Sequence, residues 1–183
     1  MHHRVRAAWP GAALAAPAFS VSCAPGDNLA VHAAVAEAPP GTVLVVDATR
    51  PPELGYWGEV LTTAAEARGV VGLVIDGGVR DVAALEAHGF PVFSTLIALR
   101  GAVKVAGGRI GGAARVGDVD VSTGDWVVAD RDGVTVVAVA SVGTVLAAGR
   151  ARADSEAAMF ERLKGGATTV ELLGLDTSPV QRG

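Results

Sequence analysis

Short apolar runs rich in Val, Ile and Leu alternate with Ala-rich segments of helical periodicity over the first half of the chain. This alternation predicts strands and helices that follow one another, as in an α/β sheet. The apolar run at 42–46 has no polar interruption after its first residue, so both faces of that strand are expected to be covered. The predicted elements of this half are strands at 19–23, 42–46 and 70–75 and helices at 28–36, 57–68 and 81–87.

Beyond Phe90-Pro91 the pattern changes to short apolar runs separated by Gly and Asp-Gly turns, which predicts strands alone. We expect an α/β half joined to a β-rich half. A last helical pattern at 150–163 is charged on one side and apolar on the other, so it is expected to pack against the rest of the chain or a neighbouring subunit. The predicted strands of this half lie at 92–93, 102–105, 118–121, 126–129 and 134–139.

The 183 residues, 50% of them hydrophobic, can form one sizeable core and are too few for two comfortable domains. A net charge of −4 without any Lys/Arg cluster argues against nucleic acid or a membrane surface as partner. Cys23 is the only cysteine, which excludes an internal disulfide framework and fits a reducing compartment, so we expect a cytoplasmic protein. The uncharged stretch at 7–26 is Ala-rich and interrupted by Pro10 and Pro17, which favours a first core strand over an export signal.

The sequence lacks several familiar catalytic motifs. The Gly-rich run at 107–112 has neither the dinucleotide fingerprint nor the Lys-Ser/Thr of a phosphate loop. No Ser lies in a Gly-x-Ser-x-Gly turn, and the four histidines do not have a zinc-binding spacing. His32 and His88 fall in helical segments and are expected to be structural. A Schiff-base aldolase would need Lys104 in its apolar surroundings, and we disfavour that chemistry.

Two charged segments flank the predicted strand at 70–75. Gly58-Glu59 lies in the preceding helix, and Arg80-Asp81 follows the strand after a Gly-Gly turn. Because ligands of parallel α/β proteins bind where strands end and helices begin, both segments are expected to face one crevice suited to a small dicarboxylate and a hard metal ion. Each charged residue also has a structural explanation. Asp81 could cap its own helix, Glu59 could complement a helix dipole, and Arg80 could be a surface cation.

The spacing from Glu59 to Arg80-Asp81 resembles that of the RraA-like family. This family includes divalent-metal-dependent 4-hydroxy-4-methyl-2-oxoglutarate/4-carboxy-4-hydroxy-2-oxoadipate aldolases and regulators of ribonuclease activity. The similarity runs from about Trp9 to about Leu163 and so covers most of the chain. The segments that carry it are 25–28, 57–61, 72–81, 91–93, 124–130 and 130–133.

The resemblance implies an α/β fold made of one layered β/β/α domain of the swivelling type. We expect this catalytic domain at 1–149, followed by a C-terminal helix and tail at 150–183. The family also implies a homotrimer or hexamer with active sites between subunits. Since the chain begins close to Trp9-Pro10-Gly11, the N-terminal helical region common in the family is expected to be missing.

The same resemblance implies residue roles. Asp81 would be the ligand of Mg²⁺ or Mn²⁺, and one aspartate can suffice because Mg²⁺ keeps several waters and takes oxygens from its substrate. Arg80 would act in catalysis by binding the carboxylate and keto oxygen of a 2-oxo acid, and Glu59 would orient a water on the metal. The residues expected to contact the substrate are Gly58, Glu59, Val60, Leu61 and Arg80.

The function implied is a lyase that cleaves 4-hydroxy-2-oxo di- or tricarboxylic acids to pyruvate through a metal-stabilised enolate. Oxaloacetate decarboxylation would be a side activity, because it gives the same enolate. In the C-terminal helix, Glu156 would be an acid supplied across a subunit interface, with Glu161 as an equally good candidate. The alternative is a non-catalytic binding protein like the ribonuclease regulators, which share the fold and the Arg-Asp pair.

Overall fold

The computed structural model describes residues 1–48, 51, 53–181 and 183. They form two compact units, Met1–Val139 and Ala140–Gly183. The elements of the first unit are β1 (Arg6–Ala7), β2 (Leu14–Cys23), α1 (Leu29–Glu37), β3 (Val43–Asp47), β4 (Gly55–Trp57), α2 (Glu59–Ala67), β5 (Gly72–Asp76), β6 (Gly78–Val79), α3 (Val82–His88), β7 (Val92–Ser94), β8 (Leu96–Ile97), β9 (Gly108–Ile110), β10 (Ala113–Val116), β11 (Val119–Ser122), β12 (Trp126–Asp130) and β13 (Gly133–Val137).

A mixed sheet of order β1-β7-β5-β3-β2-β12-β13 forms the centre of the first unit, with β9 also paired to β2. Strands β7, β5, β3 and β2 are parallel to one another. The long strand β2 pairs with β3 through its second half and with antiparallel β12 through its first half. The predicted α/β class is therefore confirmed, and three strands predicted for the β-rich half, β7, β12 and β13, belong to the same sheet.

Strand β3 separates two layers of the core. Leu44 and Val46 pack on the side of the sheet that carries α1, α2 and α3. Val43 and Val45 pack on the other side, against residues of β10 to β13. All four side chains have no exposed surface, and burial of each such side chain contributes about 1.5–3 kcal/mol. The expected coverage of both faces is confirmed.

Helix α2 differs from its prediction at the start and in its buried face. It begins at Glu59, because the preceding Trp57 belongs to the short strand β4, where it stacks on Phe90. Helical spacing alone predicts that Val60, Leu61, Ala64, Ala65 and Arg68 share one face, but Val60 is 76% exposed. The buried residues of α2 are Leu61, Thr62 and Ala65.

The strand predicted at 102–105 is wrong. Only two isolated bridges form there, from Gly101 to Gly55 and from Val103 to Asp27. The loop is held by a side chain, since the Asp27 carboxylate accepts hydrogen bonds from the backbone N–H groups of Val105 and Ala106. Val103 and Val105 are exposed, so the apolar pattern reflects surface positions.

The second unit contains α4 (Val142–Lys164) and α5 (Thr169–Leu173). Helix α4 begins well before the predicted residue 150, and none of its residues is buried. The packing predicted for it stays a prediction. A capping box of Thr168 and Glu171 fixes the start of α5. Among the described residues, no helix combines the length and the apolar character needed to cross a bilayer.

Candidate functional site

A small parallel sheet of order β4-β6-β8 brings the two predicted charged segments together. Strand β4 leads through Gly58 into α2, and β6 leads through Arg80-Asp81 into α3. The Arg80 N–H donates to the carbonyl oxygen of Trp57 at 2.9 Å, which extends the pairing of the two strands. The starts of both helices therefore lie side by side, as predicted.

The approach of the two segments requires glycine at position 58. A Cβ atom there would overlap Asp81 Oδ2 and lie 3.0 Å from Arg80 Cγ. Asp81 itself has a left-handed backbone with φ of 57°. Asp and Asn adopt this conformation more readily than most other residues, and such positions are often functional.

Asp81 does not cap its own helix. Its side chain makes no capping hydrogen bond to α3. Instead, Oδ2 accepts the backbone N–H of Glu59 at 3.1 Å, so the carboxylate contacts the start of the neighbouring helix α2. The same oxygen lies 3.6 Å from Arg80 Nε, and both side chains are about 40% exposed. Asp81 is thus held between a helix N-terminus and a cation while it stays open to solvent.

The Arg80 side chain lies in a pocket of about 140 Å³ whose wall includes Gly55, Gly58, Leu61 and Gly101. A Cβ atom at Gly101 would lie 3.3 Å from Arg80 Nη1, so the absence of a side chain leaves room for the guanidinium. Among the described residues, the charged groups that line this pocket are the cations Arg80 and Lys104. The pocket therefore favours an anion.

Three polar residues of this pocket were not predicted as site residues: Asn28, His32 and Lys104. Asn28 Nδ2 donates to the carbonyl oxygen of Tyr56 at 2.8 Å. Asn28 Oδ1 and His32 Nε2 are buried and have no hydrogen-bond partner within the described part of the chain. Burial lowers the pKa of His32, and the Lys104 charge lowers it further, so the ring is mostly neutral at pH 7. His32 was expected to be structural; the i, i+4 spacing from Asn28 was the signal for a shared face.

The Glu59 side chain turns away from this pocket. It is 57% exposed, and its Oε1 lies 3.8 Å from Nε2 of His88. The Nδ1 atom of His88 lies 2.8 Å from Glu66 Oε2, so His88 joins α2 to α3, as expected for a structural histidine. The backbone N–H of Glu59 contacts Asp81, whereas its carboxylate lies in the first turn of α2 and complements the helix dipole.

The donor set fits a hard cation that keeps most of its waters. No group of three or more His, Cys, Asp or Glu side chains that could hold a metal occurs among residues 1–48, 51, 53–181 and 183. Asp81 offers a partly exposed carboxylate with one oxygen already oriented by α2. Such a single carboxylate suits Mg²⁺ or Mn²⁺, which take further oxygens from water and substrate.

Three other acids, Asp76, Glu156 and Glu161, are already paired. Asp76, at the end of β5, accepts hydrogen bonds from Arg4 at 2.6 Å and from the Gly117 N–H at 2.9 Å. In the second unit, Glu156 pairs with Arg152 and Glu161 pairs with Lys164, each at 2.7 Å. The inter-subunit role of Glu156 stays a prediction.

Known proteins resemble this chain in sequence and in fold. The protein named "Putative 4-hydroxy-4-methyl-2-oxoglutarate aldolase" of Halalkalibacterium halodurans is 38% identical over 142 residues, which span 77% of this chain and 68% of that protein. The crystal structure of Streptomyces coelicolor RraAS2, described as an unusual member of the RNase ES inhibitor RraA protein family, has a TM-score of 0.76 at 26% identity and covers 87% of this chain and 82% of its own.

An uncharacterized protein from Pseudomonas syringae pv. tomato has a TM-score of 0.78 at 24% identity over 90% of this chain and 80% of its own, which shows the same fold. The sequence profile of the RraA-like family, described as Aldolase/RraA, matches residues 1–136. This range contains Gly58-Glu59 and Arg80-Asp81. The chain therefore belongs to the RraA-like family.

Proposed function

We propose that this protein is a divalent-metal-dependent lyase that cleaves 4-hydroxy-2-oxo acids, such as 4-hydroxy-4-methyl-2-oxoglutarate, to pyruvate. The observation that carries the proposal is the placement of the Asp81 carboxylate between the N-terminus of α2 and Arg80, beside a cationic pocket. The name of the Halalkalibacterium halodurans relative supports the same chemistry.

The first step is binding of the substrate's 2-oxo carboxylate. The first N–H groups of α2 have no acceptor within the helix, and the helix dipole favours an anion at this end. The Val60 and Leu61 amides and the Arg80 guanidinium lie at the pocket and would bind this carboxylate. Arg80 would also donate to the keto oxygen, where negative charge develops during the reaction.

The cleavage itself moves one proton and one electron pair. The C4 hydroxyl gives its proton to a water molecule, which later returns a proton to C3; the C3–C4 bond breaks, and C4 becomes the carbonyl carbon of the second product. The electron pair of the broken bond forms an enolate whose oxygen is stabilised by Arg80. Protonation of C3 then gives pyruvate. Loss of carbon dioxide from oxaloacetate gives the same enolate, so we expect this side activity.

A divalent cation on Asp81 would supply Lewis-acid stabilisation of the oxygens of the 2-oxo acid. The Glu59 N–H holds one Asp81 oxygen in place, which orients the carboxylate. Arg80 supplies positive charge 3.6 Å from the same oxygen, and the glycines at 55, 58 and 101 keep the space for its side chain open. Glu59 would need a rotamer change to orient a water, because its carboxylate faces His88.

The alternative is a non-catalytic inhibitor of a ribonuclease, which the likeness to Streptomyces coelicolor RraAS2 favours. Such a protein would release no pyruvate and would bind an endonuclease. Four predictions are independent of which function is correct. They are a homotrimer or hexamer, a cytoplasmic location, a catalytic domain ending near residue 149, and a role of Glu156 across a subunit interface.

A coupled assay for pyruvate tests the proposal with 4-hydroxy-4-methyl-2-oxoglutarate and oxaloacetate, with Mg²⁺ and with a chelator. Asp81→Ala should lower kcat by about 10²-fold or more, because preorganised charge stabilisation is lost. Asp118→Ala is the matched control. Asp118 is the other non-glycine residue with a left-handed backbone among those described, and it pairs with Arg4. Turnover that is insensitive to chelator or unchanged in Asp81→Ala would refute the proposal.

A further inference from the structure

The turn from β4 into α2 lacks the side chain that usually fixes the start of a helix. Its N-cap residue is Gly58, and a larger residue does not fit there because a Cβ atom would overlap Asp81 Oδ2. A Ser, Thr, Asp or Asn side chain at this position normally accepts a hydrogen bond from the first turn. Here the Glu59 N–H donates to Asp81, at the start of the neighbouring helix. The direction of the Glu59 N–H therefore decides where the Asp81 carboxylate is held.

A buried pair of side chains spans this turn. Trp57 Nε1 donates a hydrogen bond to Thr62 Oγ1 at 2.7 Å, and both residues are buried. Trp57 directly precedes the N-cap and Thr62 is the fourth residue of the helix, two positions whose contact fixes the angle at which a chain enters a helix. The Thr62 N–H also donates to the Gly58 carbonyl oxygen at 3.1 Å. One side-chain and one backbone hydrogen bond thus close the turn that carries the Glu59 N–H.

Trp57 connects this pair of side chains to the second helix of the site. Its carbonyl oxygen accepts the Arg80 N–H at 2.9 Å, on the segment that leads into α3. Its ring stacks on Phe90, which lies two residues beyond the end of α3, with 5.9 Å between the ring centroids. Because Trp57 contacts the segments before and after α3, its position sets the spacing between the starts of α2 and α3.

We propose that Thr62 is a positioning residue for the metal site, because its hydroxyl holds Trp57 and thereby aims the Glu59 N–H at the Asp81 carboxylate. Thr62 has no exposed surface, so it acts on the site through Trp57 and the turn, without contact to substrate or cation. This inference rests on the proposed function for the cation at Asp81. The contacts from Thr62 to Glu59 do not involve the cation, so they can also be tested in metal-free protein.

Thr62→Val is the test variant, since valine has nearly the same shape as threonine and lacks the hydroxyl. It leaves the buried Trp57 N–H without its acceptor, which is unfavourable inside a protein. The chain has three tryptophans, so its NMR spectrum contains three indole N–H signals. In metal-free protein, Thr62→Val should shift the signal of Trp57. It should also raise the exchange rate of the Glu59 amide hydrogen about fivefold or more, because the turn opens more often.

Equilibrium binding of Mn²⁺ in the presence of saturating pyruvate measures the consequence at the site. Thr62→Val should raise the Kd of Mn²⁺ about tenfold, the lower end of the effect that loss of supporting hydrogen bonds has at metal sites. Thr62→Ser keeps the hydroxyl and should bind Mn²⁺ as the unmodified protein does. Thr63→Val is the matched control, because it removes an exposed hydroxyl of the same helix, and the Kd should not change. Loss of folded protein alone would lower the number of Mn²⁺ sites and leave their Kd unchanged.

Two results would overturn the positioning role of Thr62. One is an unchanged Kd of Mn²⁺ in Thr62→Val. The other is an equal rise of the Kd in Thr62→Ser or in Thr63→Val, which would show that the Thr62 hydroxyl is not the cause. Failure of the proposed function is a different result, namely no Mn²⁺ bound by the unmodified protein with pyruvate and no pyruvate released from any substrate. Even then, the exchange rate of the Glu59 amide decides whether Thr62 holds Glu59 against Asp81.

Discussion

Gly58→Ala is expected to separate activity from stability. Gly58 has φ of −170°, an extended conformation that alanine adopts equally well, so the substitution introduces no backbone strain. Its effect is steric, because the new methyl group would overlap Asp81 Oδ2 and lie 3.0 Å from Arg80 Cγ. Either the two charged side chains move or helix α2 moves away from α3.

The cost in stability should be small. Overpacking typically costs about 1–3 kcal/mol, and the lower end applies because both displaced side chains are partly exposed and can move. For a protein of this size, about 1 kcal/mol corresponds to a fall in Tm of roughly 2–4 °C. Activity should fall much further, since a shift of about 1 Å at a catalytic group can reduce turnover roughly 10²-fold.

The measurement pairs urea unfolding with Mg²⁺-dependent pyruvate release. Gly149→Ala is the control, because a methyl group at this helical position meets no atom within 4 Å. It should stabilise α4 by up to about 1 kcal/mol and leave turnover unchanged. Wild-type turnover in Gly58→Ala would refute the claim that Asp81 and Arg80 act from their present positions. The claim would also be refuted if the loss of activity were no larger than the loss of folded protein.

Three further predictions concern residues outside the pocket. Arg4→Ala should lower the free energy of unfolding in urea by about 2 kcal/mol, because it removes the cation that pairs with the buried Asp76. Loss of this pair should cost less than loss of a fully buried pair, since the Arg4 side chain is partly exposed. A change below about 0.5 kcal/mol would contradict this. Burial raises the pKa of the Cys23 thiol to about 12, so little thiolate is present at pH 8. The rate at which iodoacetamide labels Cys23 at this pH should be lower by more than tenfold in the folded protein than in urea. Equal rates would show an accessible thiolate. Burial tends to raise the pKa of Asp27, but backbone N–H donors from Ala106, Leu29 and Val105 outweigh it and lower the pKa. The stability that Asp27 contributes is therefore present above its unfolded pKa of about 3.9 and is lost as the pH falls through the lower folded value. Asp27→Asn should show a shallower loss of stability below about pH 4 than the unmodified protein, and identical slopes would refute this.

The sequence was sufficient to predict the central sheet, because the apolar runs of the first half are compatible only with buried strands. Leu44 to Val46 are apolar without interruption, and a strand buried on both faces is what such a run requires. The juxtaposition of Glu59 and Asp81 also followed, since both lie where parallel strands end. In these places, local pattern and tertiary packing agree.

The sequence was insufficient where an apolar residue is not buried. Val103 and Val105 alternate as in a strand, yet the loop is fixed by the carboxylate of Asp27, a long-range contact that no local pattern contains. The sequence did not indicate that Lys104 lines the pocket, because the position of Lys104 depends on the same loop. Val60 was grouped with Leu61 and Ala65 by helical spacing, but the buried face of α2 consists of Leu61, Thr62 and Ala65, and Val60 lies outside it.

A crystal structure with Mn²⁺ and pyruvate would show whether Asp81 and Arg80 form the metal and substrate site, because the anomalous signal of Mn²⁺ locates the cation independently of the surrounding residues. We expect one strong peak at the Asp81 carboxylate, with pyruvate between that peak and Arg80. A strong peak elsewhere in the protein, or pyruvate bound away from Arg80 with no cation at Asp81, would contradict this expectation.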